Sequence, residues 1–167
     1  MGYRISTLKN LPSNFGCYYF LIGEYRNHSV INDLFRKDFR IIADQLGESN
    51  AIVESTDNGD LEYELINSLC SHPALFTKIE IYENRLPGLL IMWKHPSNLE
   101  KKDAVVYIPF KVLEDTYSNS SELLWDLVFF AKGKNKDLIK KTKKKYKIIK
   151  GLSLSVNVGI FALNIDL

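Results

Sequence analysis

Glu24, Arg26 and His28 fall in one short stretch, Glu24-Tyr25-Arg26-Asn27-His28-Ser29, just after an apolar run that ends at Ile22. A carboxylate, a guanidinium and an imidazole this close in sequence supply the groups for acid–base chemistry. They equally suit holding an anion between Arg26 and a helix N-terminus. Glu54, Thr56 and Asp57 follow a second apolar run. Ligands of open α/β sheets gather at such strand ends, so both stretches are places to look for a site. The competing reading is a loop of capping groups and surface pairs, since charged groups in clefts mark sites only statistically.

The strongest electrostatic feature lies elsewhere. Ten lysines occupy the nineteen residues from Lys132 to Lys150, opposed only by Asp137, so the segment carries +9. The whole chain is only +2, which leaves the other 148 residues at −7. An acidic body joined to a basic segment points to a polyanionic partner. Lys136, Lys140, Lys141, Lys143, Lys144 and Lys147 are the candidate contacts. Were six to eight of the lysines to meet phosphates, affinity for duplex DNA would fall with salt at a log–log slope of roughly −5 to −7. Lysine is a point charge without the planar fork of arginine, so sequence-specific readout is not expected. Tyr146 is the one aromatic residue in the segment, which offers no evident stacking platform for single strands. The alternatives are a solvated helix face, a face docked on the acidic body, or attachment to an anionic membrane surface.

Several chemistries lack their motifs. His28, His72 and His95 have no short ligand spacing with one another or with cysteine, so neither a metal nor any cofactor is called for. Cys70-Ser71-His72 places a thiol near an imidazole only in sequence, and a core-packing cysteine at a helix end is the expected role. Asp57-Asn58-Gly59-Asp60 has neither the spacing nor the later glutamate of a calcium loop. No P-loop and no Gly-x-Gly-x-x-Gly fingerprint is present.

The elements that must position these groups follow from periodicity. Cys17 to Ile22 is continuously apolar between two glycines, as a strand covered on both faces would be. Ile31, Leu34, Phe35, Phe39, Ile42 and Leu46 trace one helix face over Ser29 to Leu46, with Asn27 or Ser29 as the cap and Gly47 as the stop. Ala51 to Val53 reads as a second buried strand, 57–60 as a turn, and Leu61 to Ser71 as a second helix. Two strands each followed by a helix predict a right-handed parallel βαβ core. Leu89 to Trp93 and Ala104 to Phe110 are too close in sequence for a helical crossover and predict an antiparallel pair. A helix from about Ser121 to Ala131 should bury Leu123, Leu124, Leu127 and Val128 and stop at Gly133. Tyr3, Ile5 and Leu8 suggest an edge strand, while Thr77 to Glu83 fits either a strand or irregular chain. Leu138, Ile139, Thr142, Tyr146 and Ile149 lie at helical intervals among the lysines, with Asn135 as cap, although Tyr146-Lys147-Ile148-Ile149 could begin a strand instead. Leu152, Leu154, Val156, Val158 and Ile160 then alternate with small polar residues, as in a half-buried strand or hairpin.

This order of elements, with a proline-led strand in Asn84-Arg85-Leu86-Pro87-Gly88-Leu89-Leu90-Ile91, resembles the thioredoxin fold over about residues 15–132. The resemblance implies a central mixed sheet flanked by helices and makes Pro87 the candidate cis proline beside the family's active site. The family's redox members carry Cys-x-x-Cys between the first core strand and its helix. Here that position holds Glu24 to Ser29, without a cysteine, so the resemblance implies a redox-inactive member.

Composition sets the remaining expectations. A chain of 167 residues, 46% apolar and 12% aromatic, suits one globular α/β unit over residues 1–133 with a basic helix and strand extension, 134–167, packed on it. No apolar run reaches the roughly 20 residues of a membrane span. With two cysteines a cytoplasmic setting is expected. Met1 to Ser6 fits a loose acylation pattern, yet bulky Tyr3 beside Gly2 argues against its use. The function expected is non-catalytic binding of a protein or a polyanion, non-sequence-specific nucleic acid included. A small enzyme built on Glu24, Arg26 and His28 is the second reading, and peripheral membrane attachment the third.

Overall fold

A strand without a polar face must be covered on both sides, and β2 (Cys17–Ile22) is buried at all six positions. The computed structural model describes residues 1–56, 60–70, 87–100, 103, 105–133 and 136–143, excepting the side chains of 36–38 and 70. The expected turn at 57–59, the ambiguous 77–83, the Asn135 cap and everything from residue 144 onward lie outside the described residues.

Five strands form one mixed sheet in the order β1-β3-β2-β4-β5. β1 (Gly2–Ile5) and β2 both run parallel to β3 (Asn50–Ser55). β4 (Gly88–Met92) and β5 (Val105–Pro109) run antiparallel, with Tyr19 opposite Ile91 and Ile91 opposite Val106. The predicted pairings thus form, and the edge strand forms too, shorter than expected. Leu8 leaves it and belongs to a 3₁₀ turn, Leu8–Asn10.

Because side chains alternate across a sheet, the strands feed two cores. Cys17, Tyr19, Leu21, Ile52, Leu89, Ile91, Val106 and Ile108 meet α1 (Ser29–Leu46), α3 (Phe110–Thr116) and α4 (Ser120–Ala131). Tyr18, Phe20, Ile22, Val53, Leu90, Met92 and Tyr107 meet Leu61, Leu65 and Leu69 of α2 (Asp60–Cys70). Residues 137–143 are helical, and Leu138 and Ile139 join the first core.

Two local expectations need correction. Neither Asn27 nor Ser29 caps α1: His28 is its N-cap residue and makes no side-chain capping bond. Glu114 of α3 does the work instead, its Oε1 accepting from the Val30 N–H at 3.1 Å and the Ser29 hydroxyl at 2.6 Å. A carboxylate there also suits the positive end of the helix dipole. The apolar run from Ala104 does not stay extended through Phe110, because Pro109 acts as the N-cap of α3 and the chain turns helical at that point.

Candidate functional site

The end of β2 is shaped by close approach. Gly23 takes φ 74°, a left-handed conformation open to glycine without strain, and its N–H donates to Glu62 Oε1 at 2.7 Å. A Cβ on Gly23 would stand 2.9 Å from Pro87 Cα, so the proline singled out in the sequence is packed against the turn out of β2. The bond joining Pro87 to residue 86 lies outside the described residues.

Beyond Gly23, the inward side chain is Tyr25. Its ring meets Phe35 and Phe110 edge-on, and its hydroxyl donates to Glu54 Oε1 at 2.5 Å. Arg4 Nε donates to the other oxygen of Glu54 at 2.9 Å, and its guanidinium lies 5.1 Å over the Phe39 ring. Burial, reinforced by the Glu54 carboxylate, pushes the Tyr25 hydroxyl up to about 12. Tyr25 and Glu54 are therefore held as a neutral donor and a paired acceptor, which fixes the loop after β2 to the ends of β1 and β3.

Glu24, Arg26 and His28 are arranged differently. Arg26 Nε approaches Glu24 Oε1 only to 3.9 Å, and the two side chains remain 80% and 66% exposed, respectively. His28 turns its ring onto Phe110 at 5.8 Å, half-buried at the start of α1. Thr56 is exposed, and its N–H donates to Ile5 O. Asp57 lies outside the described residues. Among the described residues no group of three or more metal-ligating side chains forms, and no helix is long and apolar enough to cross a membrane. Cys17 is free and buried; burial pushes its thiol up to about 12 against a small opposing effect of the Tyr19 hydroxyl. A protonated, covered thiol is a poor nucleophile at neutral pH.

The lysine segment is partly consumed by the fold. Leu138 and Ile139 are fully covered, and the buried Thr142 hydroxyl donates back to Leu138 O at 2.7 Å. Lys141 Nζ donates to Asp126 Oδ2 at 2.7 Å and to Glu122 Oε1 at 3.2 Å, both on α4, and lies 5.4 Å over the Tyr117 ring. The Tyr117 hydroxyl donates to the same Asp126 oxygen at 2.9 Å. Lys136 and Lys140 are exposed and Lys143 is half-buried; Lys144 and Lys147 lie outside the described residues.

Sequence reasoning passed over one feature beside this helix. Trp125 and Phe129 of α4 are 61% and 38% exposed, and their rings stack at 5.6 Å with an interplanar angle of 23°. The signal was available. Leu123, Leu127 and Val128 mark the inward face, and two aromatic residues four apart fall off it. No protein-family model matches the chain, and no curated protein or solved structure matches it either.

Proposed function

We propose that this protein is a non-catalytic binding module whose lysine-rich segment engages a polyanion. One observation carries the reading: helix 137–143 is docked on the body by Leu138, Ile139 and Lys141, so a folded surface presents Lys140 to solvent rather than a loose tail. One of the candidate lysines, Lys141, is spent on that docking, while Lys140 is exposed. The second reading, catalysis by Glu24, Arg26 and His28, has less behind it. Two of those side chains point into solvent and the third packs on an aromatic ring.

The proposal places the module on a thioredoxin-like, redox-silent scaffold. The order β1-β3-β2-β4-β5, parallel on one side and antiparallel on the other, supports that likeness, as does the packing of Pro87 against the turn out of β2. The covered, protonated Cys17 fits a redox-silent role and a reducing, cytoplasmic setting.

Heparin titration of the intact chain tests the binding reading. Affinity should fall steeply as salt rises, and the combined variant Lys140→Gln, Lys143→Gln, Lys144→Gln, Lys147→Gln should abolish it while Lys141 stays in place to keep the helix docked. Absent binding, or binding indifferent to salt, sinks the reading.

A further inference from the structure

His95 follows β4, is only 7% exposed, and meets the Tyr18 ring edge-on at 5.7 Å. Its Nδ1 accepts the Ser97 N–H at 3.2 Å and so caps a second 3₁₀ turn, Pro96–Asn98. A ring nitrogen that accepts carries no proton, so the proton of the neutral imidazole sits on Nε2. Nε2 is buried without a hydrogen-bond partner. The carbonyls of Leu8 and Leu11 lie near enough to the ring to favour its charged form, yet neither meets Nε2 with hydrogen-bond geometry. Tyr18, against the ring, accepts the Phe15 N–H at 3.2 Å and donates to Pro12 O at 3.0 Å. Two stretches of chain, 7–15 and 95–99, therefore meet on one imidazole–phenol pair.

A second proton can enter this ring only at Nδ1, the atom that the capping bond uses. The imidazolium then turns an N–H toward the Ser97 N–H, donor against donor, and the turn loses its cap. The charge is also buried without a partner, which is costly. Among the described residues, the titratable and charged groups on the surrounding elements are Tyr3 and Tyr18 of the sheet, Lys9, Lys94, and Asp60, Glu62, Tyr63 and Glu64 of α2, which packs on both turns. Glu64 is taken by the Thr7 hydroxyl and the Leu8 N–H, and Glu62 by the Gly23 N–H. Lys94 is paired with Glu100 and Asp103, and Asp60, Tyr63 and Lys9 are exposed. None of them supplies a carboxylate that favours the charged ring. A protonated His95 is thus relieved by leaving its place for water, which uncovers Tyr18 and frees the turn it capped.

We propose that His95 is an acid-operated latch: its neutral ring holds residues 7–15 and 95–99 on the second core, and protonation releases both stretches while the sheet stays formed. The inference is independent of the polyanion reading, because helix 137–143 joins the first core, on the opposite face of the sheet. The direction follows from burial, which lowers the latched ring from the ordinary 6.5. Once released, the ring returns to that ordinary value and binds protons more readily than the latched one. Closure is therefore fully present above about pH 6.5 and weakens by about tenfold per pH unit below it, until the latched ring itself is protonated.

Nuclear magnetic resonance of the full-length chain between pH 5 and 8 tests the latch, through amide exchange corrected for its intrinsic pH dependence and through the imidazole signals. Protection of the Ser97, Leu11 and Phe15 amides should fall about tenfold per pH unit below about pH 6.5, while the amides of β2, the central strand, keep theirs. The neutral ring should show its proton on Nε2. His95→Asn keeps a capping acceptor but does not titrate, so in that variant protection at Ser97 should not change with pH. His95→Phe has neither property and should lower protection at Ser97 equally at every pH. The latch is overturned if the imidazole of the folded chain titrates at 6.5 or above, or if β2 loses protection in step with Ser97. It is overturned as well if His95→Asn retains the wild-type pH dependence. Should that variant fail to fold, the first two measurements, made on the unaltered chain, still decide.

Discussion

At Gly88 the space a side chain would occupy is filled by a neighbour. Gly88 pairs with Pro109 across β4 and β5, and the Tyr107 ring leans diagonally over it, so an added Cβ would stand 2.5 Å from two ring carbons and from the hydroxyl oxygen. Tyr107 is covered and cannot swing out into solvent. Overpacking a closed core in this way costs about 1–3 kcal/mol. Gly88→Ala should therefore lower the urea midpoint by an amount of that order. The same change in a Tyr107→Leu background should cost much less, because the ring it strikes is gone. Equal penalties in the two backgrounds would show that the Tyr107 ring is not what excludes a side chain. The site at the end of β2 depends on this packing, since Pro87 precedes Gly88 and presses on Gly23.

Between elements, the docking of helix 137–143 separates lysines that hold the fold from lysines left for a partner. Leu138 is fully covered, and truncating such a leucine costs about 2–5 kcal/mol. Leu138→Ala should lose stability in that range, whereas Lys140→Ala, at an exposed position, should stay within about 0.5 kcal/mol. Denaturant unfolding of the two variants checks this, and equal, negligible effects would mean the helix is not docked. The apolar intervals at Leu138, Ile139 and Thr142 made this packing legible in the sequence, as the runs at Cys17 to Ile22 and Leu89 to Trp93 made the strands legible. Periodicity reports which face is covered and not by what. It therefore missed that Glu114, more than eighty residues away, caps α1. It missed α3 as well, because Phe110 continued an apolar run through the proline where the chain turns helical. The lysines were countable from sequence. That Lys141 is spent on Asp126 and Glu122 depends on how two helices meet.

For the molecule as a whole, burial of titratable groups sets a window of pH in which the fold is most stable. Burial raises the Cys17 thiol from its ordinary 9.0 to about 12, and raises the hydroxyls of Tyr18, Tyr19, Tyr25, Tyr107 and Tyr117 above their ordinary 10.0. Each folded group then holds its proton more tightly than the unfolded chain does. The resulting stability is fully present below the unfolded values and is lost as pH rises past them, first at Cys17 and then at the tyrosines. Burial acts in the opposite sense on two bases, lowering His95 from 6.5 and the Met1 amino group from 8.0. Their contribution is present above those values and is lost as pH falls below them. The urea midpoint should accordingly be highest between about pH 8 and 9 and decline on both sides. Among the described residues Cys17 titrates first on the alkaline side, so in Cys17→Ala the onset of their contribution to that decline should move from about pH 9 to about pH 10, where the tyrosines take over. An onset that stays at pH 9 in the variant would show that the Cys17 thiol is not covered as the first core requires.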